Sequence, residues 1–332
     1  MLIYEILTIF VVCKTIRMRN KIFAAVLLMV IGLAWSCKKD STEESKPYLE
    51  GIVLVSDAPT YVAENCVIEV SCSIESLTVS TGDMPEEVGL YWMVNSGKRD
   101  TLTTNAYKSN PTYHATIEDA GTYVITCYAY GGDKYYSTSA SMTVTAVNPD
   151  TALSGISGEP DVEIGGNLYR TFTAGGLTWM GGNLYGTEEG SSYEDSEIVD
   201  SLFGQYYSWN EANNVCPEGW HLPSGEEFDA CLGDNAGALM VNASFVNVTM
   251  WEYWPEVPIT NSMSFNAIPV GYKDFTLEDG PEKGFKEYAA FWTSDDDGDL
   301  GVFRYIYERS PMVMAGRGHK DSLAMSVRCV KD

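Results

Sequence analysis

Histidine is scarce in this chain, and cysteine never takes a metal-binding spacing. The 332 residues include three histidines, and none of the eight cysteines belongs to a C-x-x-C pair. Structural zinc sites draw their ligands from such pairs and from clustered histidines. The hydrolase motif G-x-S-x-G is absent as well, which leaves His221 without a nucleophilic partner. We therefore expect neither a zinc site nor a cofactor.

Positively charged side chains are also in short supply. Lysine and arginine total 21 against 46 aspartates and glutamates, which gives a formal charge of -25. A surface this acidic repels phosphate backbones and anionic lipid headgroups, so the composition predicts no nucleic-acid partner. With 45% hydrophobic residues the chain can still bury a sizeable core, and its length suggests two domains of ordinary size.

The apolar run near the start of the chain is too short to span a bilayer. It covers residues 22–33, about 12 residues against the roughly 20 that a membrane helix needs. Arg19 and Lys21 precede it and small residues follow it, which is the layout of a secretory signal. We predict that residues 1–36 form a signal peptide. Both Met1 and Met18 are candidates for the start, and Met18 is the more natural one because Glu5 and a second apolar stretch lie ahead of the charged region.

A cysteine follows these small residues directly. Residues 33–37, LAWSC, resemble the lipobox of bacterial lipoproteins, although Trp35 is an unusual occupant of its position. The resemblance implies that Cys37 is lipidated; a chance cysteine after an ordinary signal peptide is the alternative. Acyl chains contribute about 0.8 kcal/mol per buried methylene, enough in total for stable anchoring in a membrane. Residues 37–47 are then a lipidated tether. Its acidic residues 40–44 resemble the export signals of Bacteroidota, which implies an outer-membrane lipoprotein exposed on the cell surface.

Short alternating strands are predicted over residues 48–147. Apolar and polar residues alternate with a period of two in several segments, which is typical of strands with one buried and one solvated face. The segments carry Cys66, Ile68, Val70 and Cys72; Leu90, Trp92 and Val94; Tyr123, Ile125, Cys127 and Ala129; and Met142, Val144 and Ala146 on one face. The pattern predicts an all-β sandwich.

One series within this stretch resembles immunoglobulin-like and PKD-like domains. Cys72, Trp92, the segment DAGTY at 119–123 and Cys127 follow the cysteine, tryptophan, tyrosine and cysteine order of such domains. The resemblance implies a Cys72–Cys127 disulfide, with Cys66 as the competing partner of Cys127. The domain is either a spacer or a recognition module. Residues 148–158, rich in Pro, Gly, Ser and Asp, are predicted to be a linker.

Two helix starts are predicted in the second domain, residues 159–332. Ser208 with Glu211 and Ser224 with Glu227 both form S-x-x-E capping boxes, in which serine and glutamate satisfy orphan amides of the first turn. Each predicted helix has one apolar side, which we expect to pack against a sheet.

The second domain resembles the Fibrobacter succinogenes major paralogous domain. The matching blocks are, in order, residues 177–180 with 183–184, 207–209, 216–224, 265–267 with 271–272, 291–294 and 326–330. The helix and closing-strand pattern also resembles the C-type-lectin-like fold, which implies an α+β domain and a Cys216–Cys329 disulfide. Cys231 is then left as a buried free thiol.

Two sets of residues are candidates for ligand binding. Trp251, Tyr253 and Trp254 lie in a proline-containing stretch where rings could stack on a sugar or a protein, with core packing as the alternative. Trp292 begins a second candidate segment, which stands near the position of a calcium motif in C-type lectins. There Asp295, Asp297 and Asp299 are weak candidates for calcium ligands, and a solvated acidic turn is the alternative.

The order of these parts predicts a non-enzymatic surface lipoprotein that binds a polysaccharide or a host or surface protein. Residues 220–228 also resemble a block of sulfatase-modifying, formylglycine-generating enzymes, which implies a copper-dependent oxidoreductase as an alternative. That family holds copper with two thiols, and Cys329 alone stands near the matching position. A structural subunit of a surface appendage or transport complex is the third possibility.

Overall fold

The computed structural model describes residues 46–73, 78–95, 97, 100–102, 112–251, 257–277 and 280–332. The predicted signal peptide, Cys37 and most of the tether lie outside these residues. Within the described ranges, no helix is long and apolar enough to cross a membrane. The structure is mostly β.

The first part of the described chain is a sandwich of two β-sheets. One sheet has the strand order β3-β10-β9-β6-β7 and the other β2-β4-β8, while β1 pairs with β5. The strands are β1 Leu49–Glu50, β2 Val53–Val55, β3 Tyr61–Ala63, β4 Cys66–Ser73, β5 Thr78–Val79, β6 Gly89–Val94, β7 Asp100–Leu102, β8 Thr112–Ile117, β9 Gly121–Tyr130 and β10 Thr138–Val147.

The two sheets enclose an apolar core, as the period-two pattern predicts. Val70, Leu90, Trp92 and Ile125 are fully buried between the sheets. The hydroxyl of Tyr123 donates to the backbone carbonyl of its neighbour at position 119, 2.9 Å away, which ties the start of β9 to the preceding turn. Strands from both sheets therefore contribute alternate side chains to one core.

Cys72 and Cys127 face each other in this core but are not bonded. Both are free thiols with no exposed surface, so the structure contradicts the predicted disulfide while placing its two partners together. A hydrogen bond with the Cys127 thiol lowers the pKa of Cys72, and the same bond together with burial raises the pKa of Cys127. Cys66, the competing partner, is a free thiol at partial exposure.

The second part of the described chain contains short helices among many strands. The helices are α1 Asp200–Phe203, α2 Trp209–Val215, α3 Gly225–Leu232 and α4 Ala236–Leu239, with 3-10 turns at Tyr193–Asp195 and Glu197–Val199. The strands are β11 Leu153–Ser154, β12 Val162–Ile164, β13 Asn167–Tyr169, β14 Thr171–Ala174, β15 Leu177–Met180, β16 Tyr207–Ser208, β17 Trp220–His221, β18 Ser244–Phe245, β19 Val248–Thr249, β20 Tyr272–Asp274, β21 Glu282–Lys283, β22 Tyr288–Asp297, β23 Leu300–Tyr307, β24 Met314–His319, β25 Leu323–Met325 and β26 Val330–Lys331.

Both predicted capping boxes are present. The Ser208 hydroxyl accepts from the Glu211 N–H at 3.3 Å, and the Glu211 carboxylate accepts from the Ser208 N–H at 2.7 Å. Ser224 and Glu227 make the same pair of bonds at 3.2 and 2.8 Å. Helices α2 and α3 therefore begin where the sequence predicts, because the first-turn amides find their partners locally.

The last strand closes the second domain. Strand β26 lies between β15 and β17 in the order β14-β15-β26-β17. Cys329, just before β26, is bonded to Cys216 at the end of α2, as predicted. The bond joins residues 113 apart in sequence and in the chain-entropy model contributes about 4 to 5 kcal/mol.

The predicted linker is ordered and paired with the second domain. Strand β11 forms two antiparallel pairs with β18, and the N–H of Ser157 donates to Asn266 Oδ1 at 3.0 Å. Across the same junction, the Tyr61 N–H of the sandwich donates to Ser196 Oγ at 3.0 Å, and its ring meets that of Phe245 at 5.4 Å. The sandwich and the second domain therefore share a continuous packed core, and residues 47–332 form one compact unit.

Candidate functional site

A groove of about 400 Å³ opens between two sheets of the second domain. One wall is the sheet β22-β23-β24 and the other comes from the sheet β16-β25-β20-β21. Alternate residues of β20, β22, β23 and β25 line it, since side chains alternate across a strand, and two consecutive residues of β24 complete the lining. The lining residues are Tyr272, Asp274, Tyr288, Ala290, Phe303, Tyr305, Gly316, Arg317, Leu323 and Met325.

Two small residues form the floor of this groove. Ala290 stands opposite Tyr305 between β22 and β23, and Gly316 stands opposite Phe303 between β23 and β24. A Cβ added at Gly316 would lie 2.3 Å from the tip of the Phe303 ring, so the ring rests on bare backbone. Pairing a ring with a small residue in each register leaves a depression where two rings would fill the space.

Three tyrosine hydroxyls line the groove without a hydrogen-bond partner. No hydrogen bond within the described residues engages the hydroxyls of Tyr272, Tyr288 and Tyr305. Tyrosines elsewhere in the same domain differ: the Tyr169 hydroxyl donates to a carbonyl at 2.8 Å and that of Tyr206 at 2.6 Å. The groove therefore offers aromatic faces together with free donors and acceptors.

The charged residues at the groove are an aspartate and a paired arginine. Asp274 Oδ1 accepts from the Thr276 hydroxyl at 2.6 Å and from the Thr276 N–H at 3.0 Å, and these bonds lower the pKa of its carboxyl. Arg317 at the rim is bonded to the carboxylate of Asp297. Asp274 is therefore the one lining charge without a salt-bridge partner among the described residues, and Lys283, just outside the lining, attracts it.

Residues 172–331 match the Fibrobacter succinogenes major domain. All the groove-lining residues fall within this major-domain match, while no curated protein matches the chain.

Three solved structures of β-rich domains are similar to part of the chain at low sequence identity. A PKD domain of the human receptor SorCS2 is 9% identical over 34% of this chain and 86% of its own, with a TM-score of 0.25. A PKD domain of an M14-like peptidase from a Thermoplasmatales archaeon is 15% identical over 31% and 98%, with a TM-score of 0.22. A CARDB domain from Pyrococcus furiosus is 15% identical over 32% and 97%, with a TM-score of 0.21. Similarities at this level carry no conclusion about function.

Two of the aromatic residues predicted to bind a ligand, Trp251 and Trp292, are not at the groove. Trp251 is 1% exposed and its indole N–H donates to the Ala267 carbonyl at 3.1 Å; Trp292 has no exposed surface and donates to the Tyr207 carbonyl at 2.8 Å. Both are core residues of the second domain, because the ring is buried and the indole N–H is bonded internally. Tyr253 and Trp254 lie outside the described residues.

The three aspartates named as candidate calcium ligands each contact a different partner. Asp295 accepts from the Gly225 N–H at 2.9 Å, Asp297 pairs with Arg317, and Asp299 uses its backbone carbonyl towards Lys320. Across the described ranges, no three histidine, cysteine, aspartate or glutamate side chains converge as metal ligands. In the described residues these three aspartates, the weak candidates for calcium ligands, therefore make ion-pair and turn contacts instead of converging on one point.

His221 lies between two carboxylates near the end of the chain. Its Nδ1 is 2.7 Å from Asp332 Oδ1 and its Nε2 is 3.2 Å from Glu227 Oε1. Partial burial opposes the charged imidazolium, but the bonds to Asp332 and Glu227 outweigh it and raise the pKa of His221. Glu227 also caps α3, so this histidine belongs to a structural ion cluster of the second domain.

The groove tyrosines had a signal in the sequence. Residues 288–292 and 303–307 each place aromatic or small residues at every second position, with Arg304 on the opposite face of β23, where it pairs with Asp229. A period-two pattern of this kind predicts strands with one aromatic face. This sequence signal alone does not identify the groove, because the same strands also carry core residues such as Phe291 and Ile306.

Proposed function

We propose that this protein is a cell-surface lipoprotein whose second domain binds a glycan without catalysing a reaction. The observation that carries the proposal is the groove with three half-buried tyrosines whose hydroxyls lack partners within the described residues. Sugars present apolar C–H faces and hydroxyl edges, and tyrosine supplies a ring for the first and a phenol for the second.

The size of the groove favours a short sugar segment over a protein. Its volume of about 400 Å³ lies in the range of small-ligand pockets. A protein partner would need contact over some 800 Å² per side, well beyond these ten residues. We therefore place the ligand of the predicted binding role among polysaccharides.

The architecture that we propose for the whole chain follows from its order of parts. Cys37 would anchor it, the sandwich would serve as a spacer, and the second domain would be a C-type-lectin-like head. Supporting the lectin-like fold are the two capped helices and the disulfide between the end of α2 and the closing strand. Against the copper-enzyme alternative, Cys329 is engaged in that disulfide, so a two-thiol site would first require its reduction.

The proposal is tested by glycan-array and calorimetric binding to the full chain and its groove variants. We expect Tyr305→Ala and Tyr288→Ala to weaken binding about three- to tenfold each, because each removes one stacking surface. Tyr305→Phe keeps the ring and should lose about one hydrogen bond's worth of affinity, two- to tenfold.

Val248→Ala is the matched control, since Val248 is exposed and belongs to a different sheet. Melting temperatures of all variants separate loss of binding from loss of fold. If no oligosaccharide binds the wild-type chain, or if folded Tyr305→Ala and Tyr288→Ala bind as the wild type does, the groove is not a glycan site.

A further inference from the structure

We propose that the groove selects neutral glycans and that Asp274 is the residue that rejects sugars carrying carboxylate or sulfate groups. This inference rests on the proposed glycan-binding function and specifies the ligand's charge. Asp274 lines the groove on the same face of β20 as Tyr272, two residues away. A ligand stacked along the tyrosines therefore passes the carboxylate.

The Asp274 carboxylate is fixed in position and ionised. Thr276 donates to Oδ1 from both its hydroxyl and its backbone N–H, so one oxygen is held in the turn after β20. The other oxygen has no hydrogen-bond partner among the described residues and is available to a sugar hydroxyl. A carboxylate accepts hydrogen bonds well from hydroxyls and repels a second anion.

The cationic side chains near the groove already have partners within the chain. Arg317 is the one cationic side chain among the lining residues, and it pairs with Asp297. Lys283 on β21, opposite Tyr272, donates to the Gly280 carbonyl at 2.6 Å, and its positive charge also attracts the Asp274 carboxylate. Lys273, on the opposite face of β20, is buried and pairs with Glu282 at 3.2 Å.

An anionic sugar along the tyrosines would therefore meet the fixed Asp274 carboxylate, and the described cations around it, Arg317, Lys273 and Lys283, each already act on a carboxylate of the chain. The formal charge of -25 on the whole chain also repels an approaching polyanion. Both effects are electrostatic and weaken as salt is added.

The experiment compares one sugar in two charge states. The full chain is screened against neutral oligomers of glucose, mannose and galactose and against uronic-acid and sulfated oligomers. The best neutral binder is then compared with the same oligomer after oxidation of its primary hydroxyls to carboxylates. We expect the oxidised form to bind about fivefold more weakly at low salt, because two like charges repel each other even in water. The gap should narrow at high salt.

Asp274→Asn removes the charge and keeps an oxygen for Thr276. It should reduce the ratio of neutral to oxidised affinity, whereas Asp150→Asn, the same change at an exposed site before the second domain, should not. Equal or tighter binding of the oxidised sugar, or an unchanged ratio in Asp274→Asn, overturns the selectivity while glycan binding stands. Binding of acidic oligomers alone has the same meaning. Absence of binding to every oligomer overturns the proposed function itself.

Discussion

At the scale of single residues, whether the N–H or O–H of an aromatic side chain has a hydrogen-bond partner distinguishes core residues from groove residues. Trp292 was a candidate for ligand binding, yet its indole N–H is satisfied by the Tyr207 carbonyl inside the domain. Tyr305, two strand positions from Phe303, has a hydroxyl without a partner in the described chain. The sequence shows that both residues are aromatic; only the neighbours supplied by other strands decide which hydrogen-bond capacity remains free.

Asp200 provides a prediction at the same scale. It is 8% exposed, its Oδ2 accepts from the Ser192 hydroxyl at 3.0 Å, and its Oδ1 has no partner among the described residues. Burial raises its pKa from 3.8 to about 6. The folded-state pKa of Asp200 lies above the unfolded one. Its contribution to the free energy of unfolding is therefore fully present below about pH 4 and is lost as the pH rises through about 6.

Replacing this carboxyl by an amide should therefore stabilise the protein at neutral pH. We expect Asp200→Asn to raise the free energy of unfolding by about 1 kcal/mol at pH 7.5, allowing for solvent screening, and to gain nothing at pH 4. Denaturant unfolding at the two pH values measures this, with exposed Asp150→Asn as control. A gain that is equal at both pH values would show that ionisation is not its cause.

At the scale of elements, local signals placed the helices and long-range contacts placed the linker. The capping boxes at Ser208 and Ser224 need only residues three positions apart, so the starts of α2 and α3 were readable from the sequence. Residues 148–158 look like a flexible linker by composition. In the structure Leu153 of β11 pairs with Phe245 of β18, about ninety residues further along the chain. No local sequence pattern predicts a pairing over that distance.

The Cys216–Cys329 bond gives the element-scale prediction, because it holds α2 to the closing strand. We expect the double variant Cys216→Ser, Cys329→Ser to lower the free energy of unfolding by about 2 to 5 kcal/mol. Thermal unfolding measures the loss, and reduction of the wild type should reproduce most of it. Cys231→Ser is the control, since Cys231 is a free thiol on α3. If a reductant that cleaves the bond leaves the melting temperature unchanged, the bond does not stabilise the domain.

At the scale of the whole molecule, the sandwich is packed against the second domain. Tyr61 reaches Ser196 and Phe245 across the junction, and Val147 at the end of β10 joins a core cluster of the second domain. The sandwich therefore serves the proposed spacer role as a rigid support. A fragment that begins after residue 158 would lose β11 and uncover apolar surface, which is why the binding experiments use the full chain.

The proposed anchor is also a property of the whole molecule. We expect the wild-type protein to fractionate with membranes and to incorporate labelled fatty acid, and Cys37→Ser to lose both, because acylation supplies the membrane affinity. Cys13→Ser is the matched control, since Cys13 precedes Met18. Membrane association of Cys37→Ser without label would place the anchor elsewhere.

The sequence by itself determined the features that depend on neighbours along the chain. These were the alternating strands of the sandwich, the two capping boxes and the order of family blocks that the match at residues 172–331 supports. The tertiary structure decided the thiol state of Cys72 and Cys127, the burial of Trp251 and Trp292, and the groove of Tyr272, Tyr288 and Tyr305. The physical reason is that bonding, burial and free hydrogen-bond capacity depend on atoms from distant strands, whereas periodicity and capping are local.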